Sequence, residues 1–279
     1  MSRRLLDVGY SVVVYDSAAS ACEPLADRGA SVGADAVEVA RCADVIFVMV
    51  PARHVSEALM GERGLLAGIR PNAVVIEGGN SDPAESARFA TTFERAGATM
   101  IDVGFSGGPR GAADGQLAMM VGGPKAAFDR IEPILRTFGT HIGYFGASGT
   151  GHLAKALNHL VQGLTAQAIG EALSIGQASG LDIEEWVRIV SCGAAGSWLM
   201  DRTREMLDQP PPAPAEVTAW WGGHGARNQL SYALEAAEKS AIAVPLTATG
   251  HEIRVLSLGA GRSTAMEFYV RLTWTLAHS

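Results

Sequence analysis

Apolar and polar positions change rhythm once along this chain, near residue 148. Ahead of that point, short runs of β-branched and apolar residues alternate with helix-like stretches. Ser11–Tyr15, Ala43–Val50, Ala73–Ile76, Thr99–Val103, Leu117–Val121 and His141–Phe145 read as six strands. Ala18–Arg28, Ala36–Arg41, His54–Met60 and Pro83–Arg95 read as helices between them. Continuous apolar strands alternating with helices predict a mostly parallel sheet covered on both faces. In such sheets ligands bind beyond the carboxyl ends of the strands. Past residue 148 the strand pattern stops, and Asp182–Val190, Ser197–Leu207, Arg227–Lys239, Leu246–Leu258 and Thr264–Ala277 all read as helical. The stretch Gln209–Ala215, rich in proline, predicts an extended loop.

The hinge between the two rhythms is Gly149–Leu173, a proline-free helix that is apolar nearly all round and so is expected to be buried. Lys155, Asn158, His159 and Gln162 fall at i, i+3, i+4 and i+7 and share one narrow face. Four polar groups on a buried helix demand partners. They form either a satisfied core network or the wall of a site in which Lys155 moves a proton.

Composition narrows the classes. At 279 residues the chain predicts roughly two domains. The proposed division is a dinucleotide-type α/β domain over 1–148 and an all-helical domain over 149–279. With 48% hydrophobic and 18% charged residues it can fill a large core. A formal net charge of -7 and no Lys/Arg run argue against nucleic-acid binding. Cys22, Cys42 and Cys192 are far apart and show no ligand spacing, so reduced thiols and no structural metal are expected. The start, MSRRLLDVGY, has no apolar signal segment, and no run is long enough to span a bilayer. A cytoplasmic protein without membrane association is the expectation.

The front edge departs from a doubly wound dinucleotide domain, which opens with a strand, G-x-G-x-x-G and a helix. Met1–Gly9 reads as the later part of that first helix, so the first strand and its glycine fingerprint are expected to be missing. The neighbours of a missing central strand would leave ladder groups unpaired, and low stability of the isolated chain is expected. Asp16 closes Ser11–Tyr15, where an acidic residue either holds the adenosine ribose hydroxyls or simply caps a turn.

Four motifs then follow in order: Val48-Met49-Val50-Pro51; Val75-Ile76-Glu77-Gly78-Gly79-Asn80-Ser81; Asp102-Val103-Gly104-Phe105-Ser106-Gly107-Gly108-Pro109; and Gly149-Thr150-Gly151 with Lys155, Asn158 and His159. Singly each is a turn signal. Together, in this order, they resemble the β-hydroxyacid dehydrogenase family, which includes 3-hydroxyisobutyrate, tartronate semialdehyde and 6-phosphogluconate enzymes.

The resemblance implies oxidation of a small 3-hydroxy acid by NAD or NADP, or the reverse reduction. It implies that Lys155 is the acid–base group. It places the substrate on Ser106, Gly107, Gly108, Asn158 and His159, and the cofactor on Asp16, Met49, Val50, Pro51, Asn80 and Asn228. A homodimer is also implied. Elementary chemistry agrees: a Ser-Gly-Gly loop offers N–H groups and a hydroxyl to a carboxylate, and burial draws a lysine towards neutral pH. His159 stands where the family has Asn, and Asn228-Gln229 where it has Lys-Asp. The segment Trp220–His224 reads as a lid, a dimer contact or a buried anchor. Two alternatives stay open: a catalytically impaired or non-enzymatic truncated relative, and a 6-phosphogluconate dehydrogenase-like activity. Gly78-Gly79-Asn80 favours the latter, and Gln162, where that branch has Glu, opposes it. Asp16-Ser17 with no following arginine favours NAD over NADP.

Overall fold

A computed structural model describes residues 1–207 and 225–259. The chain divides into two compact units, Met1–Lys155 and Ala156–Ser279.

The first unit is the α/β half. Helix α1 (Ser2–Asp7) leads to β1 (Val13–Val14), α2 (Glu23–Ala26), β2 (Ser31–Val32), α3 (Ala36–Cys42) and β3 (Val45–Val48). Next come α4 (Ala52–Met60), β4 (Val74–Glu77), α5 (Pro83–Arg95), β5 (Thr99–Ser106), α6 (Gly108–Asp114), β6 (Ala118–Gly122), α7 (Lys125–Leu135) and β7 (His141–Tyr144). Strands β3 to β7 form one sheet in sequence order, parallel throughout except for the β5–β6 pair. The side-chain period of two sorts this sheet's residues onto two cores. Val74, Ile76, Ile101 and Val103 face Phe128, Ile131 and Leu135 of α7. Val75 and Met100 face the other way, with Val55 and Leu59 of α4 and Phe93 of α5.

All six strands expected from the sequence are present; β2 is an addition. It is two residues long and exposed, too short for any periodicity to register. The helix expected over Ala18–Arg28 is instead a 3-10 turn, Ala19–Ala21, followed by the four residues of α2. Pro24 supplies the reason: it sits at the start of α2, where its missing N–H costs nothing, whereas inside a helix running from Ala18 it would remove a hydrogen bond. Ser2–Asp7 is helical, within the Met1–Gly9 stretch expected to be so, and Met1 and Leu5 pack on the β-sheet core. The sheet is in two pieces. Among the described residues β1 pairs only with β2, and β3 only with β4.

Helix α8 (Thr150–Ala178) is longer than the sequence pattern predicted by one turn at its end. Its burial corrects a second expectation. Ala156, Ala166, Ile169 and Leu173 are buried, but Leu157, Val161 and Ile175 are 48%, 63% and 68% exposed. An all-round apolar helix is therefore not all-round buried in this chain.

The second unit continues with α9 (Ile183–Ser191), α10 (Trp198–Leu207), α11 (Gly225–Lys239) and α12 (Pro245–Gly259). Asp182 caps α9 as expected, its carboxylate accepting the Glu185 N–H at 3.0 Å. Ile183 and Val187 pack with Leu173 of α8 and with Leu199 and Met200 of α10. The proline-rich loop, the Trp220–His224 segment and the helix expected over Thr264–Ala277 lie outside the described residues.

Candidate active site

Three consecutive strand ends build the first wall. Because β3, β4 and β5 run parallel and adjacent, the segments after them share one edge of the sheet. Those segments are Met49–Pro51, Gly78–Asn80 and Ser106–Gly108. The Gly78 N–H donates to the Val48 carbonyl at 2.9 Å, tying the first two together. Met49 Sδ and the Phe105 ring both crowd the α-carbon of Gly78: a side chain there would start 2.6 and 2.7 Å from them. Asn80 adopts φ 59°, in the left-handed region that suits a short polar side chain at a turn. Gly107 and Gly108, at φ 126° and 64°, open α6.

The second wall is the start of α8. Asp102, buried in β5, accepts the Gly149 N–H through Oδ1 at 2.6 Å and the His152 N–H through Oδ2 at 2.8 Å. A carboxylate thus meets the positive end of the helix and satisfies two N–H groups that no helical carbonyl can reach. Close approach follows from glycine. A Cβ on Gly151 would lie 2.5 Å from the Asp102 carbonyl and 2.6 Å from that of Met120. A Cβ on Gly104 would lie 2.4 Å from the Lys155 Cβ. The stem of Lys155 therefore rests on β5 at Gly104, two residues before Ser106.

Lys155 is only 4% exposed. Desolvation by burial lowers its pKa from 10.5 to about 8, because the ammonium has lost water. The result is an amine that exchanges its proton close to neutral pH, on a stem packed against the strand that ends in the Ser-Gly-Gly loop.

The remaining sequence-picked residues divide. Asp16 follows β1 and is exposed, with Oδ1 accepting the Ala18 N–H at 2.9 Å, so its carboxylate is held at a turn. Asn158 and His159 lie one turn beyond Lys155 on α8, half-buried, within the second unit. Asn228 lies on α11, and its side chain is outside the described residues. Sequence reasoning passed over the buried set Glu77, Ser86, Asp102 and His152. Two of these left a trace: Glu77 and Asp102 are carboxylates at or near the ends of otherwise apolar runs, an expensive place unless donors surround them. Ser86 and His152 left none, since their meeting is purely tertiary. Among the described residues no group of three or more His, Cys, Asp or Glu could hold a metal.

Comparison with known proteins now bears on this geometry. The NAD binding domain of 6-phosphogluconate dehydrogenase matches residues 1–146. The NAD-binding domain of NADP-dependent 3-hydroxyisobutyrate dehydrogenase matches 149–273. The chain belongs to the β-hydroxyacid dehydrogenase family. The probable mitochondrial 3-hydroxyisobutyrate dehydrogenase of Dictyostelium discoideum is 30% identical over 264 residues, 92% of this chain and 81% of that protein. The NAD-dependent L-serine dehydrogenase of Pseudomonas aeruginosa is 32% identical over 250 residues, 88% of this chain and 84% of the other. In three dimensions, the Mycobacterium tuberculosis 3-hydroxyisobutyrate dehydrogenase with L-serine superimposes with a TM-score of 0.79 at 24% identity, covering 97% of this chain and 93% of that one.

Membership makes this an NAD(P)-dependent dehydrogenase of the hydroxyacid class, with NAD or NADP as its cofactor. The residues present suit the two ends of such a dinucleotide: a turn-held carboxylate at Asp16, and the Met49–Pro51 and Asn80 segments at the strand edge. Gly149–Ala154 has the G-x-G-x-x-A spacing of a phosphate cradle, yet the N–H groups of Gly149 and His152 are already taken by the Asp102 carboxylate.

Proposed function

We propose that this protein interconverts a small 3-hydroxy acid and its oxo acid, with Lys155 as the acid–base group. The single observation behind this reading is the desolvated Lys155 amine, whose stem packs on β5 at Gly104, two residues before Ser106. In the oxidative direction the carbinol carbon gives up a hydride and its oxygen gives up a proton. NAD or NADP, when bound, supplies the hydride acceptor. Neutral Lys155 Nζ takes the proton, leaving the carbonyl product; in the reductive direction the ammonium returns it. The Ser106 hydroxyl and the backbone of Gly107 and Gly108 hold the carboxylate, leaving the reacting carbon towards Lys155. Asn158 orients the substrate hydroxyl, and His159, a further donor on the same helix face, assists it.

Asp16 favours NAD, since a 2′-phosphate would meet its negative charge. Asp16 holds the ribose, while Met49, Val50, Pro51, Asn80 and Asn228 line the remaining length. Substrates of the size of 3-hydroxyisobutyrate or L-serine suit this reading, because relatives of this chain carry those names. The dinucleotide domain spans 1–148, and the helical domain, 149–279, carries substrate contacts and a homodimer surface. A cytoplasmic setting accords with three free cysteines.

The test has two stages. NADH and NADPH are titrated calorimetrically against the purified chain, and turnover is then followed at 340 nm with 3-hydroxyisobutyrate, L-serine and 6-phosphogluconate. Oxidation of one of the first two supports the reading. Cofactor binding with no turnover of any of them favours the non-enzymatic alternative, and turnover of 6-phosphogluconate alone overturns the substrate class.

A further inference from the structure

Behind the Asn80 segment lies a polar cluster that the chemistry above does not use. Glu77, Ser86 and His152 are fully buried and come from β4, α5 and α8. Glu77 Oε1 accepts the Gly79 N–H at 2.6 Å, which bends the chain immediately before Asn80. The Glu77 Oε2 atom accepts the Ser86 hydroxyl at 3.2 Å and lies 3.3 Å from His152 Nδ1. Ser86 Oγ is 2.8 Å from the same Nδ1. His152 Nε2 is buried with no hydrogen-bond partner among the described residues. His152 sits three residues before Lys155, and its own N–H is held by Asp102.

These contacts admit one low-cost proton arrangement. Glu77, as a carboxylate, accepts the Gly79 N–H on Oε1, and the single Ser86 proton has two acceptors at 3.2 Å, Glu77 Oε2 and the Asp82 carbonyl. The Ser86 oxygen is then left to accept, so Nδ1 must carry a proton. An unpartnered Nε2 is tolerable as a bare lone pair and much worse as a buried N–H. Neutral imidazole protonated on Nδ1 is the state that leaves no proton stranded.

We propose that His152 and Glu77 are a positioning pair: through Ser86 they lock the Gly79–Asn80 segment to the first turn of α8, fixing that strand-edge segment in register with Lys155. The Gly79 N–H, the Glu77 side chain, the Ser86 hydroxyl and the His152 ring form one unbroken chain of contacts between loop and helix. The other ionisable groups there are Lys155, on α8, and Asp102, which reaches the helix start from β5 and is occupied by backbone donors. Gly79 has no slack of its own, since a Cβ there would lie 2.5 Å from Val55 and 2.7 Å from the Val50 carbonyl. The tether ends on the Gly79 N–H, so its loss acts on the main chain ahead of Asn80 and not on a side chain alone. The claim about turnover rests on the function proposed above; the claim about the tether does not.

Three measurements test it on the whole chain. Imidazole 15N NMR of the wild-type protein should show His152 protonated on Nδ1 and bare on Nε2. Amide hydrogen exchange of the peptide containing Gly79 and Asn80 should speed up about tenfold or more in His152→Leu, as expected for a locally opened segment. It should return to within about threefold of wild type in His152→Asn, whose amide restores a donor at the Nδ1 position. Ser86→Ala, which deletes one hydroxyl and little volume, should give a smaller acceleration and serves if His152→Leu does not fold. With 3-hydroxyisobutyrate and NAD, kcat should fall by about tenfold or more in His152→Leu while KM moves less than about threefold, the mark of lost alignment rather than lost binding. Unchanged exchange in both His152→Leu and Ser86→Ala overturns the tether, as does a protonated Nε2 or a His152→Asn variant as damaged as His152→Leu. If the wild type oxidises neither hydroxy acid, the proposed function fails while the exchange and NMR results still decide the tether.

Discussion

The two ends of α8 are one helix under two regimes. Over its first six residues every feature serves fixation: Gly151 is pressed on β-strand carbonyls, Asp102 caps two N–H groups, and Lys155 lies on Gly104 with little water left. Beyond Ala156 the same helix turns Leu157, Val161 and Ile175 outward. Apolar residues are sparser in the fixed part, two of the six in 150–155, than in 156–178, where they are twelve of 23, so apolar content does not track burial along this helix. What differs is the neighbour, a sheet edge in one case and the helical unit in the other. The sequence pattern therefore located the helix and its polar stripe but not which length of the helix is buried.

The comparison is sharpest at Lys155, where the largest effect is expected. Lys155→Met should lower turnover by about 10²–10⁴-fold, the usual contribution of a positioned acid–base group. The same change should stabilise the fold. The folded amine loses its proton at about 8 and the unfolded one near 10.5, so between these values the folded state binds fewer protons and stability rises with pH. Below about pH 8 the full cost of burying the ammonium applies, roughly 3 kcal/mol. Urea melts of Lys155→Met against wild type at pH 7 and pH 10 check this, and the gain should shrink at the higher pH. In the wild type, kcat/KM for oxidation should climb through about pH 8 and that for reduction should fall through it.

Next in size is Asp102→Ala, which strands two N–H groups at the buried helix start. A loss of about 2–4 kcal/mol in denaturant melts is expected, with Asp102→Asn recovering part of it because one acceptor oxygen survives. Gly104→Ala follows. Its methyl would collide with the Lys155 stem, and overpacking of this kind costs about 1–3 kcal/mol. Turnover should suffer more than stability, since the displaced group is the amine itself.

The smallest effect lies at the other end of the comparison. Val161→Asp, on the exposed stretch of α8, should alter folding stability by less than about 0.5 kcal/mol. If the helical domain forms a homodimer through this face, the substitution should shift the species seen in sedimentation from dimer to monomer. A wild-type protein that sediments as a monomer would remove the homodimer from the proposal and leave the chemistry untouched.

Much of the site could be read in advance. The strand ends at Met49–Pro51, Gly78–Asn80 and Ser106–Gly108 are chemical punctuation after apolar runs, and a parallel sheet brings such ends to one edge by geometry alone. Lys155 stood out because a charge inside an apolar helix is anomalous wherever that helix packs. The helix of Ala18–Arg28 was misjudged because a proline outweighed its pattern, and β2 was passed over because two exposed residues carry no period.

The amino-acid order alone determined the alternation of strand and helix, the change to all-helical structure and the family, since each depends on local periodicity or on motifs whose order is itself linear. The depth at which Lys155 is buried, the capping of α8 by Asp102 and the union of Glu77, Ser86 and His152 were decided only in three dimensions. Each depends on which distant backbone groups are within about 3 Å, and hydrogen bonds and desolvation act over that distance in space without regard to separation along the chain.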